Sequence, residues 1–273
     1  MHAPGFNTLT VTLSENIAEI CLDRPDKSNA MNAAMWQEIR QAFDWVDRTP
    51  EARVAILSGA GKNFCAGIDL AMLGGIQQQI ANPDAARSRE ALRRLILDLQ
   101  ECLSSIERCR KPVLAAIQGA CVGGALDLVT CCDMRYAAAD AIFSIKEIDV
   151  GMVADVGTLQ RLPRLIGDGM ARELAYTGRH VDANEAEKLG LVNRTFPTQA
   201  TLSDEVRQLA QSIAAKSPLA TRGLKEVMNF SRDHSVSDGL NYVATWNAAM
   251  LLSADLSESI AAQQERRPAK FAD

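Results

Sequence analysis

The apolar positions along the chain follow two different spacings, which together predict a mixed α/β protein. Residues 6–13 alternate loosely between apolar and polar side chains, residues 14–16 are turn formers, and residues 17–22 form a second apolar run. This pattern is typical of a β-hairpin. Residues 32–47 instead carry apolar side chains near a spacing of three and four, which predicts an amphipathic helix.

One local plan occurs twice in the first half of the chain. Residues 54–58 and residues 113–117 are apolar, strand-like runs, and glycines follow at residues 59–61 and 119–124. A helix start comes after each glycine turn. Residues 83–110, between the two units, predict one long helix with a single apolar face. Further strand signals lie at residues 134–137, near Phe143 and at residues 191–196.

Beyond Pro197 the pattern changes to helices alone. Four segments are predicted as helices, at residues 204–216, 219–232, 236–252 and 257–266. Because so few helices make a poor independent core, they are expected to serve as an oligomerisation or lid element. We therefore divide the chain into a mixed α/β core at residues 1–200 and a C-terminal helical oligomerisation region at residues 201–273.

Composition and charge exclude several classes of protein. Of the 273 residues, 47% are hydrophobic and 23% are charged, and the formal net charge is −5. A chain with this balance folds into a globular protein and has no excess of positive charge for nucleic acid or anionic membranes. No apolar run approaches membrane-spanning length, and the first residues do not resemble a secretory leader. We expect a cytoplasmic protein without nucleic-acid or membrane partners.

The cysteines, histidines and glycines argue against metal, hydrolase and nucleotide chemistry. The seven cysteines lack the C-x-x-C pairs of zinc sites, and none of the three histidines stands in a metal-binding pair or beside a nucleophile motif. Residues 58–63 lack the spacing of a P-loop, and Phe64 stands where a dinucleotide fingerprint needs its third glycine. We therefore expect no metal site, no nucleotide hydrolysis and no hydride transfer.

Three acidic residues stand at predicted changes of chain direction within residues 123–158. Asp127 follows a Gly-Gly pair at a helix start, Glu147 lies in a turn-like segment, and Asp155 precedes another helix start. Each acid alone has a structural explanation, because carboxylates cap helix N-termini and complement the helix dipole. Carboxylates at such points can also converge on one pocket, and their combination favours that interpretation.

Two helix starts opened by glycine offer a second constellation. Residues 66–69 and residues 123–127 each place glycine where a helix begins, and free backbone amides point out of such an end. Glycines also serve tight turns and close packing, so one such helix start is weak evidence. Two of them facing each other would form an oxyanion hole.

Longer motifs resemble a known family. The pieces FCAGIDL, CVGGALDLVTCCDMRYAAADAIFSIKEIDVGMVADVGTLQRLPRLIG and GRHVDANEAEKLGLVNRTFP are similar, in order and spacing, to the crotonase (enoyl-CoA hydratase/isomerase) superfamily. The resemblance runs from DRPDKSNAMN to ERRPAKF. It implies an α/β fold of the crotonase type, a spiral of β-β-α turns with two stacked sheets wrapped by helices. It also implies that the C-terminal helical region builds trimers or hexamers.

Two pieces, KEIDVGMVADVGTLQRLP and SRDHSVSDGLNYVATWN, are most similar to the delta(3,5)-delta(2,4)-dienoyl-CoA isomerases of that superfamily. The resemblance assigns the oxyanion hole to the backbone amides of Ile68 and Gly124. Asp127 and Glu147, twenty positions apart, occupy the places of the two hydratase glutamates, and the shorter aspartate counts against water addition. Asp155 matches the extra acid of the isomerases.

The implied reaction is the isomerisation of a 3,5-dienoyl-CoA to a 2,4-dienoyl-CoA in the β-oxidation of unsaturated fatty acids. A proton moves from C2 to C6 through a dienolate, and burial and mutual repulsion can make two carboxyl groups differ in protonation. We favour Asp155 as the base and Glu147 as the acid, an order that the sequence leaves open, with Asp127 tuning the pair. An enoyl-CoA hydratase and a non-catalytic acyl-CoA-binding protein stay as alternatives.

The implied substrate carries coenzyme A, and no separate cofactor is expected. By the same resemblance, Arg24, Lys27, Ala66 and Lys270 are the candidate contacts of the CoA moiety. Ordinary surface charge is the alternative explanation for the three basic residues. The apolar region around Met72 is the candidate cover for the acyl chain.

Overall fold

The computed structural model describes residues 3–273, and Met1 and His2 lie outside the described residues. The strands within this range are β1 (Leu9–Ser14), β2 (Ile17–Leu22), β3 (Val54–Gly59), β4 (Val113–Ile117), β5 (Ala120–Val122), β6 (Met134–Ala138), β7 (Ile142–Ser144), β8 (Val181–Asp182) and β9 (Arg194–Phe196). The helices are α1 (Ala33–Arg48), α2 (Leu70–Gln79), α3 (Ala85–Arg108), α4 (Gly124–Thr130), α5 (Thr158–Ile166), α6 (Asp168–Thr177), α7 (Ala183–Leu189), α8 (Gln199–Ala214), α9 (Pro218–Arg232), α10 (Val236–Met250) and α11 (Ala254–Gln264).

The strands form two sheets. β1 and β2 pair antiparallel, which confirms the predicted hairpin. The larger sheet has the order β1-β2-β3-β4-β6-β9, and every pair after the hairpin is parallel. β5, β7 and β8 form the smaller sheet. Because the carboxyl ends of parallel strands meet at one edge, the glycine turns after β3 and β4 lie at the same edge, where ligands of such sheets bind.

Apolar side chains at strand and helix spacing explain the core. All five residues of β4 are buried, as expected for a central parallel strand. The Asn32 side chain caps α1, whose apolar face buries Trp36, Ile39 and Phe43. Each such burial contributes roughly 1.5–3 kcal/mol relative to an exposed side chain. The helix predicted at residues 32–47 is therefore confirmed.

Some elements differ from the sequence-based expectation. α8 begins at Gln199 rather than at residue 204, because the Thr198 hydroxyl accepts a hydrogen bond from the Thr201 amide and caps the helix there. α6 and α7 occupy a stretch for which the sequence pattern predicts no helix. They have only ten and seven residues, too few for a helical period to stand out from the sequence.

The C-terminal helices attach to the core in two ways. α8 packs on the large sheet through a buried apolar face. α9 is held by the Lys225 ammonium, which donates to the Asp133 carboxylate at 2.7 Å and to the backbone oxygens of Ile106 and Lys111. A buried ammonium is tolerated only with such a set of acceptors. α8 thus packs as a core helix does. The division at residue 200 stays a prediction.

Two further properties concern residues 3–273, the described part of the chain. No helix in this range combines the length and the apolar character needed to cross a lipid bilayer. The same range contains no group of three or more His, Cys, Asp or Glu side chains placed to hold a metal ion.

Candidate active site

Two backbone amides come together at the carboxyl edge of the large sheet. Gly67 has φ +87°, and a methyl group on it would lie 2.7 Å from the Val122 oxygen and 3.2 Å from the Gly124 nitrogen. A methyl group on Gly124 would in turn lie 3.7 Å from the Ile68 nitrogen. Within residues 3–273 neither the Ile68 amide nor the Gly124 amide donates a hydrogen bond. The structure thus brings the two predicted amides side by side with their donors free.

Short backbone pairing holds these amides in place. The Cys65 amide donates to the Ala120 oxygen at 2.9 Å, and the Val122 amide donates to the Cys65 oxygen at 3.2 Å. This pairing lays the segment before α2 against β5, so that the glycine turn and the start of α4 face each other. Gly123, with φ +57°, makes the bend between β5 and α4, a conformation that glycine adopts without steric cost.

Asp127 lies in the first turn of α4 and is fully buried, with 0% exposure. Its Oδ1 accepts a hydrogen bond of 2.5 Å from the Thr158 amide, at the first residue of α5. Its Oδ2 is buried without a hydrogen-bond partner among residues 3–273. Burial raises the pKa of Asp127 from 3.8 to about 6, although hydrogen bonding by Thr158 lowers it. Asp127 therefore joins α4 to α5 as a buried carboxyl group.

Glu147 begins the 3₁₀ turn Glu147–Val150, which follows β7. Its Oε1 lies 3.3 Å from the position of a methyl group built on Gly123, so the carboxyl group stands beside the start of α4. Burial raises the pKa of Glu147 from 4.5 to about 7, and the neighbouring charge of Asp127 adds to the effect. At neutral pH this carboxyl group is therefore protonated in a large share of the molecules.

Asp155 is half-buried in the irregular segment that precedes α5. Its backbone oxygen accepts a hydrogen bond of 2.6 Å from the Gln100 side chain on α3. Burial raises the pKa of Asp155 above its usual 3.8, and its charge raises the pKa of Asp127 and of Glu147. The three predicted acids are thus one electrostatic cluster, in which ionising one group makes the next harder to ionise.

A largely apolar cavity of about 320 Å³ adjoins this cluster. The lining residues with polar side chains are Glu147, Thr158, Asp168, Arg172 and Tyr176. The apolar part of the wall comes from the turn and from α5 and α6, and includes Ile145, Ile148, Met152, Val153, Leu159 and Leu162. Met72, the predicted cover of an acyl chain, does not line it. The sequence gives little signal for this wall, because its residues come from separate elements that only the fold brings together.

The predicted CoA contacts fall into two groups. The Ala66 amide donates to the Ser28 oxygen at 2.9 Å, which places Ala66 beside the turn that carries exposed Lys27. Arg24 belongs to the same group and forms an ion pair of 3.0 Å with Asp69. Lys270 does not join them.

Lys270 lies at the other end of the large sheet. It adjoins Phe271, whose backbone oxygen accepts from Arg53 just before β3 begins, whereas the glycine turn follows the end of that strand. A contact of Lys270 with this chain's own site therefore has no support in the single chain. Its role in binding CoA stays a prediction.

The two free amides and the adjacent carboxyl groups indicate a type of chemistry and a class of protein. Two free amides can stabilise an oxyanion, and adjacent carboxyl groups of unequal pKa can take up and return a proton. A parallel α/β core that presents this set at its carboxyl edge is an α/β protein of the crotonase type. A family model described as enoyl-CoA hydratase/isomerase matches residues 12–273. The chain belongs to this family, as the motifs predict.

Individual relatives narrow the comparison. The chain is 48% identical to a peroxisomal delta(3,5)-delta(2,4)-dienoyl-CoA isomerase of Arabidopsis thaliana, over 100% of this chain and 99% of the relative. It is 46% identical to a mitochondrial enzyme of the same name from Homo sapiens, over 97% of this chain and 82% of the relative. A crystal structure of an enoyl-CoA hydratase from Bacillus anthracis superposes with a TM-score of 0.89 at 30% identity, covering 97% of this chain and 99% of that one. The predicted crotonase-type fold is confirmed.

The expected cytoplasmic location is wrong. The similar isomerases are named as peroxisomal in Arabidopsis thaliana and as mitochondrial in Homo sapiens. The expectation rested on the lack of a secretory leader and of an apolar run of membrane-spanning length. Neither property records the compartment, because organelle addresses are signals that receptors read and that the folded core does not require.

Proposed function

We propose that this protein isomerises 3,5-dienoyl-CoA thioesters to 2,4-dienoyl-CoA thioesters in the β-oxidation of unsaturated fatty acids. The observation that carries the proposal is the cluster of three carboxyl groups beside two free amides. Relatives that are 43–48% identical and carry the name dienoyl-CoA isomerase support the same activity. Two carboxyl groups of different proton affinity suit a reaction that removes a proton at one carbon and returns one at another.

Proton removal comes first in the proposed mechanism. The hydrogens on C2 lie between the thioester carbonyl and the diene, so their removal gives an extended dienolate with charge on the thioester oxygen. The amides of Ile68 and Gly124 donate to that oxygen and stabilise it. Asp155 accepts the C2 proton. Its ordinary pKa is lower than that of Glu147, and burial is the one cause that raises it.

Proton return completes the reaction at C6. The dienolate is nucleophilic at C6, and Glu147, whose pKa of about 7 keeps much of it protonated, donates the proton there. The electron pairs shift from the C3=C4 and C5=C6 bonds to C2=C3 and C4=C5. Asp155 ends protonated and Glu147 ionised, and exchange with solvent restores both groups.

The environment of Asp127 argues against the hydratase alternative. Hydratases of this superfamily hold their water between two glutamates, and Asp127 stands in the place of one of them. Here the carboxyl group is fully buried and one of its oxygens is engaged by the Thr158 amide. It is therefore poorly placed to hold a water molecule with Glu147. We assign Asp127 to tuning the other two acids and to holding α5.

The acyl chain and the CoA moiety have separate proposed positions. The apolar cavity beside Glu147 suits the acyl chain beyond the reacting carbons, because apolar walls are the usual surroundings of such chains. Arg24, Lys27 and Ala66 lie close to the glycine turn and suit the polar CoA moiety. Coenzyme A enters as part of the substrate, and the proposed steps use carboxyl groups and amides alone.

We also propose that the C-terminal helices assemble the protein into trimers or hexamers. Large apolar side chains in the C-terminal helical region are exposed in the single chain. They are Leu224, Met228, Val236, Leu240, Leu251, Leu252 and Ile260. Exposed apolar side chains concentrated on one region mark association surfaces.

The activity is tested by following 3,5-octadienoyl-CoA, because the conjugated 2,4-dienoyl thioester absorbs at longer wavelength. We expect turnover by the wild type and a loss of about 10²- to 10⁴-fold in kcat for Asp155→Asn, the usual range for removal of a general base. Binding of an acyl-CoA ligand should persist in the variant. Asp149→Asn is the matched control, since Asp149 is exposed and pairs with Lys146.

Two results would remove the proposal. Faster addition of water to a 2-enoyl-CoA than isomerisation of the dienoyl substrate would make the protein a hydratase. Acyl-CoA binding without turnover of either substrate would make it a binding protein. Wild-type turnover with an unaffected Asp155→Asn variant would remove Asp155 from the mechanism but leave the activity.

A further inference from the structure

One face of α3 contacts the segment that carries Asp155. The Nε2 of Gln100 donates to the Asp155 backbone oxygen at 2.6 Å. One turn further along, the Ser104 hydroxyl accepts from Arg161 at 3.2 Å, and Glu107 accepts from the same guanidinium nitrogen at 2.9 Å. Positions 100, 104 and 107 share one helix face. This face therefore holds the chain on both sides of the start of α5.

The Asp155 segment has little backbone support of its own. It belongs to neither a helix nor a strand. Within residues 3–273 the backbone oxygen of Asp155 accepts no hydrogen bond except the one from Gln100. The next fixed point along the chain is the Thr158 amide, which Asp127 holds at 2.5 Å. Gln100 and Asp127 therefore hold the segment from opposite ends.

We propose that Gln100 is a positioning residue, which fixes the Asp155 carboxyl group against the C2 hydrogen of the substrate by holding its backbone oxygen. The inference rests on the proposed isomerase function. A displacement of about 1 Å at a reacting group can lower the rate by about 10²-fold. Gln100 itself touches neither a proposed reacting atom nor the two oxyanion amides.

A substitution of Gln100 tests the positioning role more directly than a substitution of Glu107 or Arg161 would. Glu107 also ties α3 to α9, because it accepts from Arg232. Replacing Glu107 would therefore loosen the C-terminal helices as well as α5, and replacing Arg161 would remove both of its hydrogen bonds to α3. Within residues 3–273 the Gln100 side-chain amide makes one hydrogen bond, to the backbone oxygen of Asp155.

The experiment compares Gln100→Met with the wild type on 3,5-octadienoyl-CoA and on the same substrate deuterated at C2. Methionine keeps the length and volume of the side chain and removes the donor. We expect kcat to fall about 10- to 100-fold, with KM changed by less than about twofold because substrate binding is intact. The deuterium isotope effect on kcat should increase, since C2 proton removal becomes the slow step.

Gln160→Met is the matched control. Gln160 lies on α5, five positions beyond Asp155, and its side chain is exposed. It makes no side-chain hydrogen bond within residues 3–273. The control should keep the wild-type kcat, KM and isotope effect, so that a loss in Gln100→Met is not the effect of any glutamine removed near α5.

Gln100→Glu supplies a second variant of nearly identical shape. Its ionised carboxylate cannot donate to the Asp155 oxygen, so its kcat should fall at least as far as that of Gln100→Met. Acyl-CoA binding stoichiometry, measured on each variant, counts the folded sites. Full stoichiometry with a lowered kcat and a larger isotope effect supports positioning.

The outcomes separate this inference from the proposed function. If the wild type turns over the dienoyl substrate and the kcat of both Gln100 variants is within about threefold of its kcat, the role of Gln100 is overturned. Such a difference is less than about 1 kcal/mol in barrier height, and the isomerase function is unaffected by it. A lowered kcat with an unchanged isotope effect and a matching loss of binding sites also overturns it, because the side chain then only stabilises the fold. No dienoyl turnover by the wild type overturns the proposed function and this role with it.

Discussion

At the scale of single residues, Asp127 carries a charge that the fold only partly stabilises. Its carboxyl group is fully buried and receives a hydrogen bond on one oxygen, while the other oxygen has no partner within residues 3–273. Burying a charge that is not fully paired has a cost in free energy. The site therefore trades stability for a carboxyl group that raises the pKa of Glu147, which suits a proton donor.

Asp127→Asn should stabilise the protein at alkaline pH. The folded-state pKa of Asp127 is about 6, above the ordinary 3.8, so the folded chain binds this proton more tightly than the unfolded chain. The wild type therefore loses unfolding free energy as the pH rises. This loss is absent below about pH 4 and complete above about pH 6. Asparagine keeps the acceptor for the Thr158 amide and removes the charge.

We expect the variant to exceed the wild type by about 1–3 kcal/mol in unfolding free energy at pH 8, since one pKa unit corresponds to about 1.4 kcal/mol. The difference should vanish near pH 4. Denaturant titrations of both proteins at several pH values measure it. A difference that does not change with pH would mean that burial of the Asp127 charge is not its origin.

At the scale of elements, the oxyanion hole depends on the glycine turn before α2. Gly67 has φ +87°, and a methyl group on it would lie 2.7 Å from the Val122 oxygen, closer than side-chain carbons approach. Alanine at this position must therefore shift the turn or β5. Either movement separates the Ile68 amide from the Gly124 amide.

Gly67→Ala should lower kcat by about 10²- to 10³-fold, the usual loss for one oxyanion donor. Gly74→Ala is the control, since Gly74 lies in α2 with ordinary φ and open space around its α-carbon. Alanine there favours the helix by about 1 kcal/mol and should leave the rate unchanged. Steady-state assays of the two variants decide the matter. Wild-type turnover by Gly67→Ala would contradict an oxyanion role for this turn.

An element can be predicted from the sequence when local residues determine it, and it cannot when contacts between distant segments determine it. β3 and β4 were predictable because a central strand buries both faces and so reads as an unbroken apolar run. β5 and β8, for which the sequence pattern predicts no strand, have only three and two residues. Such short strands exist through pairing between distant segments, and local sequence carries little of that information.

The same distinction applies to the candidate site. The three acids and the two amides lie at turns and helix starts, which leave local signals in the sequence. The hydrogen bond from Gln100 to Asp155 joins residues 55 positions apart, and the burial of Asp127 depends on three-dimensional packing. Family motifs therefore predicted the candidate groups, whereas the positions and pKa values of the acids required the fold.

At the scale of the whole molecule, the C-terminal helices present apolar side chains that the single chain does not cover. Leu224 and Met228 lie one turn apart on α9 and are 65% and 69% exposed. Side chains four positions apart share a helix face. Lys225, between them in sequence, is buried and anchors α9 to Asp133. The orientation of α9 is thus fixed from within, and its apolar face is directed outward.

If this outward face joins subunits, the wild type should have a mass that is a multiple of 29.6 kDa. The double variant Leu224→Glu, Met228→Glu should shift toward the single-chain mass, because the interface loses roughly 1.5–3 kcal/mol for each apolar side chain and gains charges that must be desolvated. Light scattering coupled to size-exclusion chromatography, over a range of protein concentrations, measures the mass. Leu70→Glu is the matched control, since Leu70 is 73% exposed on α2, away from the C-terminal helices. A double variant with the wild-type mass would place the contact between subunits elsewhere.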